Sequence, residues 1–218
     1  MINADRTVVP TPSISRSWRT DEILRSLGIV FHNKCYLCEI QSLNPQDFEV
    51  DHFTTRNERN DLSLQWENLY LICENCNRIK PRKTPEGGYL DPCNSSDNVE
   101  REIEYILNQK EYDNPIFVCK NRSANRRTTN TVNLLMRVHH GHNSETSFTT
   151  ASLRNVILKQ ASNLLTEIVN HQKAREEGNH HREQESLAYI REYLSRYSPF
   201  TMLMRVIGRR YGYQSEFD

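Results

Sequence analysis

Residues 35–80 read CYLCEIQSLNPQDFEVDHFTTRNERNDLSLQWENLYLICENCNRIK. One Cys-x-x-Cys pair opens this stretch, a second lies near its end, and an Asp-His dipeptide lies between them. Two intervening residues are the spacing at which a tight turn can direct both sulfurs at one tetrahedral ion. The second pair is distant enough to return as a second knuckle, which closes the segment between the pairs into a loop. We therefore expect a small metal-stabilised module whose loop carries the reactive side chains.

The paired cysteines predict a structural Zn²⁺ site with the ligands Cys35, Cys38, Cys73 and Cys76. A shell of four thiolates leaves no open coordination position, so this ion would stabilise the module without catalysing a reaction. The alternative is a set of core thiols or two disulfides, which the spacing alone does not exclude.

Hydrophobic patterning predicts two strands and a short helix in this module. Residues 48–53 alternate in a way that suits a strand entering a turn, and residues 69–72 form a second apolar, β-prone run. Residues 74–80 are predicted to form a short helix. The expected order is therefore strand, strand, helix.

This segment resembles an HNH endonuclease of the ββα-metal fold, in its zinc-knuckle form. The resemblance implies that the strand-end pair supplies a divalent-cation ligand, Asp51, and a general base, His52. It further implies that Asn68 orients the loop or the histidine, and that Asn77 on the short helix is the second protein ligand of the catalytic cation. The His-Asn-His motif that gives the family its name ends in histidine. Some HNH nucleases have asparagine at that last position, as this chain does at Asn77. Products with 5′-phosphate and 3′-hydroxyl ends are also implied.

The same chemistry follows from the residue types. Cleaving a phosphodiester needs a deprotonated water on one side of the phosphate and a stabilised leaving oxygen on the other. His52, with an unperturbed pKa of about 6.5, can accept the proton of the water near neutral pH. Adjacent strand residues alternate faces, so a cation held by Asp51 and Asn77 could lie across the phosphate from His52. Few protein ligands and an amide oxygen favour Mg²⁺ or Mn²⁺ over Zn²⁺.

Three cations flank these residues in sequence and are candidate phosphate contacts: Arg56, Arg78 and Lys80. Arginine suits bidentate phosphate binding. The alternative, which position alone leaves open, is that all three are solvated surface charges.

The composition of the whole chain limits how the protein could bind nucleic acid and where in the cell it could be located. The 218 residues carry equal numbers of acidic and basic side chains, so no overall field attracts nucleic acid, and such binding must come from local patches or a partner. The N-terminus shows no signal peptide, and no apolar run in the sequence approaches the length needed to cross a membrane. Cysteines in metal-type pairs then favour a reducing, cytoplasmic location, with Cys93 and Cys119 as free thiols.

The predicted fold class is α+β, with a small ββα-metal core followed by a mainly helical region. The predicted divisions are an N-terminal arm and helix (1–30), the nuclease module (31–92) and the helical region (93–218). The predicted helices span residues 17–27, 98–109, 125–140, 149–172, 182–196 and 199–211, and residues 115–120 are a strand candidate. Gly28 is expected to end the first helix, and an apolar stripe from Leu153 to Val169 to cover one side of the longest one.

A closer similarity is to the HNH nucleases that are paired with an ATPase in anti-phage defence, the PtuB-like proteins of Septu systems, also found as retron effectors. It is carried by Arg56 after the His-Phe pair, by Tyr89-Leu90-Asp91-Pro92, and by residues 127–134 leading into a helix. The resemblance implies a PtuA-like ATPase partner on which the helical region docks. It also implies a nucleic-acid substrate, for which DNA is favoured over RNA.

Two other interpretations stay open at this point. One is a zinc-knuckle adaptor that binds nucleic acid or protein without cutting, and the other is a stand-alone restriction-type endonuclease. Outside the module, a basic run and a basic, aromatic tail could contact nucleic acid or a partner, and three histidines near a helix end could be solvated or bind metal. These residues are Lys120, Arg122, Arg126 and Arg127; Arg205, Arg209, Arg210, Tyr211 and Tyr213; and His139, His140 and His142.

Overall fold

The computed structural model describes residues 1–14, 16–106, 115–121, 125–141 and 149–218. In chain order, its main helices and strands are α1 (Asp21–Val30), β1 (Phe48–His52), β2 (Leu69–Cys73), α2 (Glu74–Ile79), α3 (Val99–Glu102), β3 (Ile103–Ile106), β4 (Ile116–Cys119), α4 (Arg126–His140), α5 (Thr150–Glu176), α6 (His180–Leu194) and α7 (Thr201–Arg210). Helices dominate after residue 125, and short antiparallel strand pairs precede them, so the predicted α+β class is confirmed.

The first strand pair and the helix after it form the predicted ββα unit. Strands β1 and β2 are antiparallel, with Phe48 opposite Cys73 and His52 opposite Leu69. Helix α2 begins at the residue after β2, which places the second cysteine pair at the junction of strand and helix. All five residues of β2 are buried, since α1 packs beside this strand. The unit therefore has a core made partly by residues outside it.

Helix α1 differs from the prediction at both ends. It begins after Thr20, whose hydroxyl accepts a hydrogen bond from the backbone of Ile23, and it continues through Gly28 to Val30. Gly28 is buried within the helix, and a Cβ there would lie 2.6 Å from the Asn33 side-chain oxygen. The expectation that Gly28 ends the helix was wrong, because this glycine serves close packing rather than termination.

The predicted helix over residues 98–109 was also wrong. Only α3 is helical, and β3 follows it directly, paired antiparallel with β4. Ile103 and Tyr105 are buried, and Glu104 between them is exposed. This alternation of burial is that of a strand. Short apolar runs fit helical and strand periods alike, and here the neighbouring strand decides the outcome. Residues 107–109 of the predicted helix lie outside the described residues.

The helical region follows the predicted pattern closely, and the strand expected at 115–120 is confirmed as β4. Asn125, Thr149 and Asn179 each accept a backbone hydrogen bond as the N-cap of α4, α5 and α6. The buried stripe of α5 is narrower than expected, since Val156 and Val169 are 40% and 60% exposed.

One buried core joins the module to this region, with residues such as Leu37, Leu71, Leu135 and Met204 in the same cluster. The domain divisions after residues 30 and 92 stay predictions. In the described part of the chain, no helix combines the length and apolar character needed to cross a membrane.

The N-terminal arm (residues 1–20) lies against the module. Arg6 donates hydrogen bonds to the backbone oxygens of Trp66 and Leu69, at 3.0 and 2.7 Å, and its guanidinium lies 4.6 Å from the ring centre of Tyr70. The arm therefore holds the chain where it enters β2.

Candidate active site

The four paired cysteines converge. Their Sγ atoms all lie within 4.8 Å of one another, and all four residues are buried. The Sγ atoms of Cys38 and Cys73 are 3.7 Å apart. A tetrahedral Zn²⁺ with bonds of about 2.3 Å has sulfur–sulfur edges of about 3.8 Å, so the donor set fits zinc. All four thiols are free, which excludes the alternative of two disulfides.

Five of the predicted site residues line one cleft. Asp51, His52 and Asn77 lie around a cavity of about 260 Å³ beside the ββα unit. Two of the candidate phosphate contacts, Arg56 and Lys80, line the same cleft. Strand β1 supplies the Asp-His pair and helix α2 supplies the asparagine, so the predicted convergence of these elements is present in the fold.

His52 is held by a backbone carbonyl. Its Nε2 lies 3.0 Å from the oxygen of Ser63, a contact that requires a proton on this nitrogen because a carbonyl oxygen only accepts. In the neutral ring, Nδ1 then carries the lone pair. Burial lowers the pKa of His52, so the neutral form dominates at pH 7. The arrangement suits a base that accepts a proton through Nδ1.

Asn68 does not line the cleft but holds the loop after β1. Its Oδ1 accepts from the backbone of Thr54 at 2.8 Å, and its Nδ2 donates to the carbonyls of Thr54 and Leu62 at 3.0 and 3.3 Å. Leu62 precedes Ser63, whose carbonyl contacts His52. Asn68 is thus placed to position the histidine through the loop.

Lys80 lines the cleft, but its side chain is buried and its ammonium is bonded within the protein. Its ammonium lies 2.5 Å from Asp51 Oδ2 and 2.8 Å from the carbonyl of His52, and the side chain is 4% exposed. The contacts of this ammonium lie at the end of β1 and at Phe53 after it, and the expected phosphate contact stays a prediction. The position of Lys80 in the sequence suggested contact with a phosphate. In the fold, its ammonium binds Asp51 and the carbonyl of His52.

The two candidate arginines differ in their surroundings. The exposed Arg56 lies with its guanidinium 4.3 Å from the ring centre of Trp18, and both line the cleft. Arg78 forms an exposed ion pair with Glu74 one turn away on α2, and it is not among the residues lining the cleft. Arg56 is therefore the better placed of the two for a phosphate.

Sequence reasoning missed four residues around the site. Trp18 lies edge-on to His52 with ring centres 5.2 Å apart, and Arg82 lines the cleft. Glu49 accepts a hydrogen bond from Asn77, and Tyr36 donates one to Asp51. Strand alternation could have found Glu49, two residues before Asp51, whereas no local pattern indicates Trp18.

Outside the module, the described basic and histidine candidates are mostly engaged within the chain. Arg126 pairs with Glu86, Arg127 with Asp97, and Lys120 donates to the carbonyl of Glu100. Arg205 is buried and pairs with Glu100 and Asp218. His139 is buried, and His140 contacts the carbonyl of Pro115. Arg122 and His142 lie outside the described residues.

Residues 35–83 match the family model for HNH endonuclease. The match contains both cysteine pairs and all the predicted site residues, and it supports a nuclease function for this domain. It covers a minor part of the chain. No curated protein and no solved structure matches the chain.

Proposed function

We propose that this protein is a metal-dependent endonuclease that hydrolyses phosphodiester bonds of nucleic acid. The observation that carries the proposal is the joint presence of Asp51, His52 and Asn77 around one cleft, within the segment that matches the HNH family model. The four-thiol cluster beside it would hold a structural Zn²⁺.

His52 acts as the general base. Its Nε2–H is bound by the Ser63 carbonyl, which orients the ring and leaves Nδ1 to take a proton from the attacking water. A base whose pKa lies below its ordinary value is unprotonated at neutral pH, as this step requires. The edge of Trp18 limits rotation of the ring.

Asp51 and Asn77 offer oxygen donors on the two elements that border the cleft. Their chemistry fits a hard cation that keeps several waters, so Mg²⁺ or Mn²⁺ is the expected cofactor. When bound, such an ion neutralises the leaving oxygen of the phosphodiester.

Arg56 and Arg82 are exposed at the cleft and give it local positive charge in a chain of zero net charge. They suit contacts to a phosphate backbone, which would position the substrate without reading its sequence. DNA is the proposed substrate. Since the chain has no overall attraction for polyanions, a partner that presents the substrate would complete the activity.

The proposed biological role is anti-phage defence in the cytoplasm, together with a PtuA-like ATPase. This part of the proposal rests on the sequence similarity to Septu nucleases and on the neutral overall charge.

The test is cleavage of supercoiled plasmid by zinc-loaded protein with Mg²⁺ or Mn²⁺, alone and with the product of the neighbouring gene. Nicked or linear DNA is expected, and EDTA should abolish it within minutes while the zinc content is unchanged. DNA binding without cleavage under every condition, in wild type and His52→Ala alike, would instead identify an adaptor.

A further inference from the structure

Tyr36 lies inside the zinc knuckle, between Cys35 and Cys38. Its backbone N–H donates to the carbonyl of Leu71 on β2 at 2.9 Å, and its side chain is buried among Phe53 and Tyr70, with ring centres 6.4 and 5.0 Å away. Knuckle and strand thus fix the backbone and ring of this tyrosine.

The phenol of Tyr36 reaches the candidate cation ligand. Its hydroxyl donates to Asp51 Oδ2 at 2.8 Å, the oxygen that also receives the Lys80 ammonium. A carboxylate oxygen only accepts, so the Tyr36 hydroxyl is the donor of this hydrogen bond.

One carboxylate oxygen of Asp51 is therefore already hydrogen-bonded within the protein. Oδ2 has two donors, whereas Oδ1 makes no hydrogen bond to any residue that the structure describes. Asp51 lines the cleft, so Oδ1 is the oxygen left for a ligand.

We propose that Tyr36 is a positioning residue that fixes the Asp51 carboxylate so that it binds the divalent cation through Oδ1 alone. This inference rests on the proposed function, because it takes Asp51 as a cation ligand. It assigns the knuckle a second role, since the turn that holds two zinc ligands also carries the group that orients a ligand of the other metal. Partners that orient a metal ligand typically contribute 10- to 100-fold to metal affinity.

Tyr36 is a better test than Lys80. Removing the ammonium would leave a buried carboxylate without its counter-charge, which destabilises the fold whatever its role. Tyr36→Phe removes one hydroxyl and keeps the ring that packs in the core.

The experiment measures Mn²⁺ affinity of zinc-loaded protein by calorimetric titration, with zinc content and melting temperature recorded for each variant. Tyr36→Phe is expected to bind Mn²⁺ about 10- to 100-fold more weakly. The matched control is Tyr70→Phe, because Tyr70 is also buried and donates to an aspartate, Asp91, at 2.5 Å. Its Mn²⁺ affinity should equal that of wild type.

Two further arms separate the possible failures. In an Asp51→Ala background, Tyr36→Phe should cause no additional loss, because its effect passes through that carboxylate. A crystal structure of wild type with Mn²⁺ should show the ion on Oδ1 and the Tyr36 hydroxyl on Oδ2, a result that does not depend on how the variant folds.

Wild type that binds no Mn²⁺ at this site would overturn the proposed cation site itself. Wild type that binds Mn²⁺, with Tyr36→Phe binding it equally well or with both oxygens of Asp51 on the ion, would overturn only the role of Tyr36. A Tyr36→Phe protein that loses its zinc leaves the crystal structure as the deciding measurement.

Discussion

The side-chain amide of Asn77 donates a hydrogen bond to Glu49 Oε2 at 2.5 Å. A carboxylate only accepts, so the amide nitrogen must face Glu49, and the amide oxygen lies on the other side of the group. Glu49 and Asp51 are two residues apart on β1 and share one face of the strand. Glu49 thereby sets which atom of Asn77 would face a cation in the proposed site near Asp51.

Removing the Asn77 amide should weaken cation binding at the proposed site. We expect Asn77→Ala to lower the Mn²⁺ affinity of zinc-loaded protein at least about tenfold, whereas Asn77→His should shift preference from Mg²⁺ toward softer ions such as Ni²⁺. Titration with each ion measures this. Asn163→Ala, at an exposed position of α5, is the control. Unchanged Mn²⁺ binding in Asn77→Ala would remove Asn77 from the site.

Replacing the proposed base should stop cleavage without disturbing the fold. His52→Ala is expected to cut plasmid about 10² to 10⁴ times more slowly than wild type, with the same zinc content. The exposed His180 provides the control variant, His180→Ala, which should cut at the wild-type rate. Equal rates for His52→Ala and wild type would show that another group takes the proton.

Loss of the loop contacts should affect rate more than metal binding. Asn68→Ala removes three hydrogen bonds that hold the loop carrying Ser63. We expect the free energy of unfolding to fall by about 2 kcal/mol and the cleavage rate to fall with it, while Mn²⁺ affinity stays within about twofold. Denaturant unfolding and Mn²⁺ titration check the two parts. A large loss of Mn²⁺ affinity would indicate that Asn68 acts on the cation site instead.

The thiol cluster should account for one zinc ion per chain and for much of the stability of the module. Cys73→Ser is expected to lose the zinc and lower the melting temperature by 10 °C or more, on the order expected when a structural metal is lost. Cys93→Ser and Cys119→Ser, at the two free cysteines outside the cluster, should keep it. Atomic absorption and thermal unfolding measure both effects, and zinc retained at full occupancy in Cys73→Ser would contradict the four-thiol assignment.

Acid should destabilise the protein partly through His139. This side chain is buried, its ring centre lies 4.9 Å from that of Phe117, and burial lowers its pKa to about 3. In the unfolded chain its pKa is about 6.5, so below that pH the imidazole is protonated in the unfolded state but stays neutral in the folded state. Stability is then lost as the pH falls from about 6.5 toward 3, by up to about 1.4 kcal/mol per pH unit.

His139→Leu removes this contribution. Between pH 7 and pH 5, its free energy of unfolding should fall by up to about 2 kcal/mol less than that of wild type. Denaturant unfolding at the two pH values measures the difference, with the exposed His181→Ala as control. Parallel pH profiles for His139→Leu and wild type would mean that the imidazole is hydrated or protonated in the folded protein.

The parts of the molecule that could be predicted from sequence are those with local patterns. The spacing of Cys35 and Cys38 determines a knuckle, and the alternation of residues 48–53 determines a strand, because both depend on near neighbours. By contrast, Trp18 contacts His52 only because the N-terminal arm returns along the module. The sequence offers Lys80 as a phosphate contact or a solvated surface charge, whereas its burial and its ion pair with Asp51 depend on how β1 and α2 meet in the fold.

The hairpin of β3 and β4 shows the same limit. Val99, Ile103 and Ile106 have helical spacing, yet the chain between the last two is a strand. An apolar run this short has no preferred period of its own. The strand at residues 116–119 lies opposite in the fold and supplies the hydrogen bonds that decide between the two structures.

Arg6 donates hydrogen bonds to the carbonyls of Trp66, Glu67 and Leu69 and lies over the ring of Tyr70, so the first residues of the chain are part of the packed module. A transfer of this module into another protein therefore has to include more than residues 35–83, the segment that matches the family model. A segment that begins at residue 35 would lack Arg6, Trp18 and helix α1. The apolar strand Leu69–Cys73 would then be exposed to solvent. A transferred segment that keeps this strand covered therefore has to start at the first residues of the arm and to include helix α1.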